Sequence, residues 1–327
     1  MNRSLYSEIL RDLDIKDITS IDTIQSLWSG YGELVRVAVE SEDYSSLIIK
    51  HVSLPEAISH PKGWNSSISH QRKIQSYNVE FNWYRHFSPQ LQQDLPHGAL
   101  GILCEHESEG EWLIVMEDLA LKGFPNISSK ATPLQRSACL RWLAHFHAKF
   151  IGDQGAGLWE SGTYWHLDTR PDEFSALEDL PLKQAAKAID LKLKEAPFQT
   201  LVHGDAKLAN FCFSDDDTRA AAVDFQYVGK GCAMKDVALF ISSAVEPEEC
   251  AALEQPLLDE YFEALEEALS IYRPDLDVYE VERAWRPMFE FAWADFQRFV
   301  KGWSPSHWKI NPYTESVKER ALNALKQ

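Results

Sequence analysis

Four polar residues in the second half of the chain, Asp205, Lys207, Asn210 and Asp224, have types and spacing suited to chemistry on phosphate. Phosphoryl transfer needs a carboxylate to orient and deprotonate a hydroxyl, a cation on the moving phosphate, and oxygen ligands for Mg²⁺. All three kinds are present. Each half of the stretch reads as a strand running into a polar loop. β-formers lead up to His203, Phe211-Cys212-Phe213 resumes an extended pattern, and the turn-rich Ser214-Asp215-Asp216-Asp217 precedes a second strand ending at Asp224. That geometry gathers the four side chains at the mouth of a small hairpin.

The order His203-x-Asp205-x-x-x-x-Asn210, followed by Asp224-Phe225-Gln226 at a strand end, matches the kinase catalytic loop and metal motif in register. Here the chain resembles the kinase-like phosphotransferases of small molecules, which include aminoglycoside phosphotransferases, choline kinases and the ecdysteroid-kinase-like family. His-Gly-Asp in place of His-Arg-Asp, and Asp-Phe-Gln in place of Asp-Phe-Gly, favour that group over protein kinases and the last family most. The resemblance implies an α+β, bilobal protein-kinase-like fold. A small antiparallel-sheet lobe would span residues 1–118, and a larger, mainly helical lobe residues 119–327. It implies ATP and Mg²⁺ as cofactors and a small-molecule hydroxyl as acceptor. Asp205 becomes the catalytic base, Lys207 the contact to the γ-phosphate, and Asn210 and Asp224 the metal ligands. His203 is a loop brace, Gly204 permits the turn, and Asp236 supports the loop from the next helix.

The positioning elements lie upstream. Leu5, Ile9 and Leu13 recur at helical spacing, so a short helix is expected over 4–13. Val35, Val37 and Val39 share one strand face, after a turn holding Gly30 and Gly32. Such a turn could lay free N–H groups over nucleotide phosphates, or be an ordinary hairpin. Lys50 lies on the apolar face of the strand 46–52. Glu80 sits beside the stripe Ile74, Tyr77, Phe81 and Tyr84 of a helix over 71–87. A half-buried glutamate is costly unless paired, so Lys50 with Glu80 is the economical solution; a surface lysine and a solvated glutamate are the alternative. The strand 111–119 stops at acids. By resemblance it runs into an inter-lobe hinge where main-chain atoms of Glu117 and Leu119 meet adenine and Met116 lines the pocket. Residues 122–126 read as linker.

Thr132-Pro133-Leu134-Gln135 is a capping box with proline at the first helical position. Leu134, Leu140, Leu143, His147 and Phe150 of its helix lie on or near one face. His145 and His147, two apart, point to opposite sides and cannot chelate one ion, so His147 is expected in the core. Residues 153–181 read as an irregular insertion, followed by a helix from about 182 to 194. Two apolar stripes follow, Leu257 to Leu269 and Val281 to Phe296, and then a Pro-rich segment with Trp303 and Trp308. Glu290 and Asp295 among tryptophans could frame a cationic acceptor or simply pack. The acids at 214–217 are expected to be solvated.

Composition limits the partners. The chain has 327 residues, 45% hydrophobic, and a net charge of −18, which argues against nucleic acid or an anionic membrane as the main partner. Five scattered cysteines, Cys104, Cys139, Cys212, Cys232 and Cys250, suit reduced thiols and a cytoplasmic setting. No apolar run of about 18 residues is present. The rivals are a choline-, ethanolamine- or aminoglycoside-type kinase with a cationic acceptor and, from another class, a nucleotide-binding pseudokinase. The base, metal aspartate and strand lysine that pseudokinases tend to lose are all present. A protein kinase would need an Ala-Pro-Glu segment, and Asp236 follows Asp224 too closely to leave room for peptide docking.

Overall fold

Alternation organises the first part of the chain. The structure is a computed structural model that describes residues 3–27, 30–53, 66–91, 96–98, 100–104 and 110–326. A helix α1 (Arg3–Leu10) buries Tyr6 and Leu10 against the strands β1 (Asp17–Ser26) and β2 (Gly32–Glu40). The valines of β2 fill that core at every second position, as the period of a pleated strand requires. β3 (Ser46–Ser53) pairs antiparallel with β2 and presents Lys50 on the face opposite Ile49.

Helix α2 (Ser66–Asn82) then crosses towards the sheet and ends in a wider turn at Trp83–Phe87. β4 (His97–Gly98), β5 (Gly101–Cys104) and β6 (Glu111–Glu117) follow. Among the described residues the first sheet has the order β1-β2-β3-β6-β5, every pair antiparallel. The helix over 71–87 expected from sequence is present and begins earlier. Trp28 and Ser29 of the glycine turn lie outside the described residues.

Past β6 the chain is mainly helical. A two-residue strand β7 (Asn126–Ile127) starts inside the stretch expected to be linker and pairs with the catalytic hairpin. α3 (Pro133–Phe150) opens on the capping box, with Thr132 and Gln135 exchanging both hydrogen bonds. Its face holds as expected except at Leu134, which is 56% exposed, because the first turn projects past the core. The 153–181 segment is not irregular throughout. It contains α4 (Pro171–Ala176), and Trp159, Gly162 and Thr163 bond to residues 227–230. Proline at the first turn and the Asp179 cap also start α5 (Leu180–Lys194) before residue 182.

The catalytic strands come next. They are β8 (Thr200–Val202), β9 (Phe211–Phe213), β10 (Ala220–Ala222) and β11 (Gly229–Gly231). β9 and β10 form the hairpin, flanked by β7 and β4, while β8 pairs with β11. α6 (Met234–Ala244), α7 (Pro247–Tyr272), α8 (Val278–Trp285), α9 (Met288–Trp303) and α10 (Pro312–Ala324) complete the chain. The stripe expected over 281–296 is divided between α8 and α9 at Pro287. α3, α7 and α9 bury aromatic residues in one large core that reaches Trp83 and Phe225.

Candidate active site

The loop between β8 and β9 is held from below. The buried Asp236 carboxylate at the start of α6 accepts the amides of His203 (2.5 Å) and Gly204 (2.9 Å). His147 sits 3.2 Å from the same carboxylate and 2.9 Å from the Tyr261 hydroxyl, so it is a core residue. His203 accepts the Asp205 amide on Nδ1 and lies 3.0 Å from the Val223 carbonyl on Nε2. A carbonyl only accepts, so Nε2 carries the proton; burial also lowers the ring's affinity for a second one. Gly204 has φ +80°, and a Cβ there would lie 2.0 Å from the Tyr227 carbonyl oxygen. Only glycine fits.

This scaffold brings all four sequence-predicted residues together. Asp205 Oδ2 accepts the Lys207 ammonium at 2.8 Å and the Asn210 amide at 3.0 Å. Its Oδ1 is buried and has no hydrogen-bond partner among the described residues. Asn210 also donates to the Asp205 carbonyl at 2.8 Å, which fixes its amide nitrogen inward and leaves its Oδ1 for another partner. Asp224, with φ +67°, turns its carboxylate towards Lys50 at 3.4 Å, and its side chain is 37% exposed. Asn210 and Asp224 are hard oxygen donors, which fits Mg²⁺ chemistry.

Lys50 Nζ donates to both Glu80 oxygens, at 2.8 and 2.6 Å. Burial works to lower the Lys50 ammonium, but Glu80 and Asp224 more than reverse it, so the lysine stays charged. Environment separates Asp205 from Asp224. Burial raises Asp205 against the pull of Lys207, with Asp224 adding to the rise. Asp224 is drawn down by Lys50, Lys73 and Lys207, which together outweigh its burial. One acid is thereby set up to take a proton and the other to stay ionised.

Just past β6, the Leu119 amide has no protein acceptor among the described residues, while its carbonyl closes a turn with Lys122 and Phe124. Glu117 pairs with Lys122 at 2.7 Å, and Met116 is buried. Of the two readings of the glycine turn, its backbone bonds are those of a hairpin turn. The Gly30 amide bonds to the Leu27 carbonyl at 3.2 Å and is not free. Gly32 is required by β3, since a Cβ on it would lie 2.0 Å from the His51 carbonyl oxygen. The acids at 215–217 bond locally to Asn126, Ser214, Thr218 and Gln135. Asp295 is buried on Arg298 and Trp165, and Glu290 pairs with Arg320, so both acids belong to packing.

Some contributors were not singled out in the sequence. Lys73 donates to Gln226 at 3.0 Å, anchoring the segment after Asp224 to α2. It lies seven residues before Glu80, and its helical position on the same face was the available clue. Phe225 stacks on Trp83 at 4.3 Å and packs against His203 at 4.6 Å.

A family model described as the phosphotransferase enzyme family matches residues 23–274. The chain belongs to that family. The match contains Lys50, Glu80 and the whole catalytic hairpin. No curated protein matches the chain in sequence. Among solved structures, this phosphotransferase is similar to a microcompartment-associated aminopropanol kinase at 15% identity, covering 98% of each chain with a TM-score of 0.50. It also resembles a choline kinase from Streptococcus pneumoniae at 12% identity, with 99% and 98% of the two chains covered and a TM-score of 0.44. An ADP-bound aminoglycoside phosphotransferase matches at 11% identity, with 100% and 97% covered and a TM-score of 0.48. The fold is kinase-like and α+β. No described helix is long and apolar enough to cross a membrane.

Proposed function

We propose that this phosphotransferase moves the γ-phosphate of ATP, with Mg²⁺, to a hydroxyl of a small-molecule acceptor. The observation that carries the reading is the buried, unpartnered Asp205 Oδ1 in a carboxylate whose other oxygen is already held by Lys207 and Asn210. A buried acceptor atom without a donor is costly, and a substrate hydroxyl would satisfy it. The hydroxyl oxygen attacks the γ-phosphorus, a new O–P bond forms as the bond to the ADP oxygen breaks, and the hydroxyl proton passes to Asp205. Lys207 holds Asp205 in place and lies beside the transferring group. Lys50, oriented by Glu80, contacts the α- and β-phosphates, and Asn210 Oδ1 with Asp224 would hold Mg²⁺. When bound, that ion neutralises charge on the phosphates.

We place the division between the lobes after Asp118. Adenine lies against Met116 and meets main-chain atoms of Glu117 and Leu119, where the unused Leu119 amide supports the assignment. Gly30 and Gly32 lie at the phosphate end of the cleft, acting through the shape of the turn. Within the family, His-Gly-Asp with Asp-Phe-Gln supports the ecdysteroid-kinase-like group, and we assign the protein to the cytoplasm. The test is ADP release from Mg-ATP over a panel of sterols, amino alcohols, aminoglycosides and sugars, with Asp205→Asn in parallel. Turnover lost in the variant supports the reading; turnover that survives the substitution, or no Mg-ATP binding by the wild type, overturns it.

A further inference from the structure

The C-terminal segment brings a cation and a row of rings to the catalytic loop. The Tyr164 amide donates to the Gly204 carbonyl at 3.2 Å, and Asp205 adds to the rise that burial imposes on the Tyr164 hydroxyl. From Tyr164 the rings continue edge-on to Phe299 at 5.4 Å, and Phe299 stacks on Trp303 at 6.0 Å. Trp303 and Trp308 are 38% and 56% exposed, although neither is needed to close the core. Lys309 Nζ lies over Phe296 at 5.1 Å and Trp308 at 5.5 Å, with the Ser242 hydroxyl as its hydrogen-bond partner at 3.0 Å. Next to Ser242, Ser243 accepts the Leu208 amide of the catalytic loop at 2.9 Å, so the lysine stands at that loop's edge.

No carboxylate forms an ion pair with Lys309 among the described residues. Burial lowers its pKa to about 8, with Asp205 raising it and Lys207 and Cys250 acting beside it in opposite senses. A cation placed among rings without a counter-charge is unfavourable until an anion arrives. Acids that could receive an ammonium acceptor are committed elsewhere, Glu173 to Arg170 and Asp295 to Arg298.

We propose that Lys309 and the rings from Tyr164 to Trp308 form the acceptor wall, and that it takes a hydroxylated acceptor with a flat apolar body and a carboxylate. An ammonium-bearing acceptor is disfavoured at the same wall. The inference rests on the phosphotransferase reading of Asp205 and goes beyond it in naming the acceptor's charge.

The experiment uses one scaffold with three charges: 4-(hydroxymethyl)benzoate, benzyl alcohol and 4-(aminomethyl)benzyl alcohol, with ADP release from Mg-ATP measured for the full chain and for Lys309→Gln. The expected order of kcat/KM is carboxylate, neutral, ammonium, with at least about tenfold between the ends, the discrimination typical of one charge contact. In Lys309→Gln the ratio of carboxylate to neutral acceptor falls to near one. Preference for the ammonium compound, or equal rates in the wild type, overturns the proposal. Equal slowing of all three by Lys309→Gln also overturns it, because the lysine would then serve the phosphoryl group. If none of the three reacts, thermal shifts separate the two levels. Stabilisation by Mg-ATP with no further shift from any acceptor ends this proposal alone, and no shift from Mg-ATP ends the phosphotransferase reading beneath it.

Discussion

Removing the Lys50–Glu80 pair one side at a time separates its structural weight from its use. The two residues are 5% and 1% exposed, and the ammonium donates to both carboxylate oxygens. Glu80→Leu leaves a buried ammonium whose remaining carboxylate is Asp224 at 3.4 Å, and stranding a buried charge costs about 3–5 kcal/mol. Lys50→Met strands the carboxylate instead. Burial already pushes Glu80 upward, so it can take a proton, and the cost falls to about 1–3 kcal/mol. The double variant Lys50→Met/Glu80→Leu replaces the pair with apolar groups of similar size and should lie within about 1.5 kcal/mol of wild type. The singles sum to roughly 6 kcal/mol at mid-range, so the pair couples by at least about 4.5 kcal/mol. Urea unfolding followed by tryptophan fluorescence measures all four proteins. The double variant should fold and yet lose stabilisation by Mg-ATP. If its loss equals the sum of the singles, the stranded-charge reasoning is wrong; if it still binds Mg-ATP normally, the pair does not serve the nucleotide.

Three further outcomes can be checked. Asp205 is raised from the ordinary carboxyl range and works as a base when ionised, so kcat/KM should fall as pH drops through that raised value; a profile bending only in the ordinary aspartate range refutes the assignment. Burial and Lys235 hold His166 down to about 4 in the folded chain, so the unfolded chain binds its proton first as pH falls. Stability from this residue is therefore complete above about pH 6.5 and lost on the way down to 4, and two and a half pH units at about 1.4 kcal/mol each give roughly 3.5 kcal/mol. His166→Gln should flatten the fall in urea midpoint between pH 7 and 4.5, and an unchanged slope would count against it. Gly204→Ala meets the Tyr227 carbonyl at 2.0 Å in a left-handed conformation, so turnover should drop at least about a hundredfold, which a steady-state assay reads directly.

The catalytic hairpin was legible because its chemistry is local. Asp205, Lys207 and Asn210 lie within six residues, and short apolar runs flank them on both sides. Lys50 and Glu80 were legible for a different reason, since a charge on an apolar face demands a partner and few were on offer. What could not be seen depends on contacts across long sequence separations. Lys309 reaches the catalytic loop from about a hundred residues away, and nothing in Trp308-Lys309-Ile310 announces it. The packing of 153–181 on residues 227–230 was likewise hidden, because backbone bonds between Trp159, Gly162 and their partners leave no mark in side-chain periodicity. The glycine turn was open to two readings in sequence. Gly32 serves strand packing, a requirement that looks the same in sequence as a ligand's.

Phe225 lies between Trp83 and His203, so the ring after Asp224 touches both the end of α2 and the loop that carries Asp205. Many kinases are switched by swinging the helix that carries the paired glutamate. Here that swing would have to unstack Trp83 from Phe225 as well as break Glu80 from Lys50. Aromatic stacking contributes about 0.5–1.5 kcal/mol beyond burial, and the ion pair adds about 3 kcal/mol or more, so a displaced helix is populated below roughly one molecule in a few hundred. Both contacts would have to be lost together before that helix could move away from Lys50.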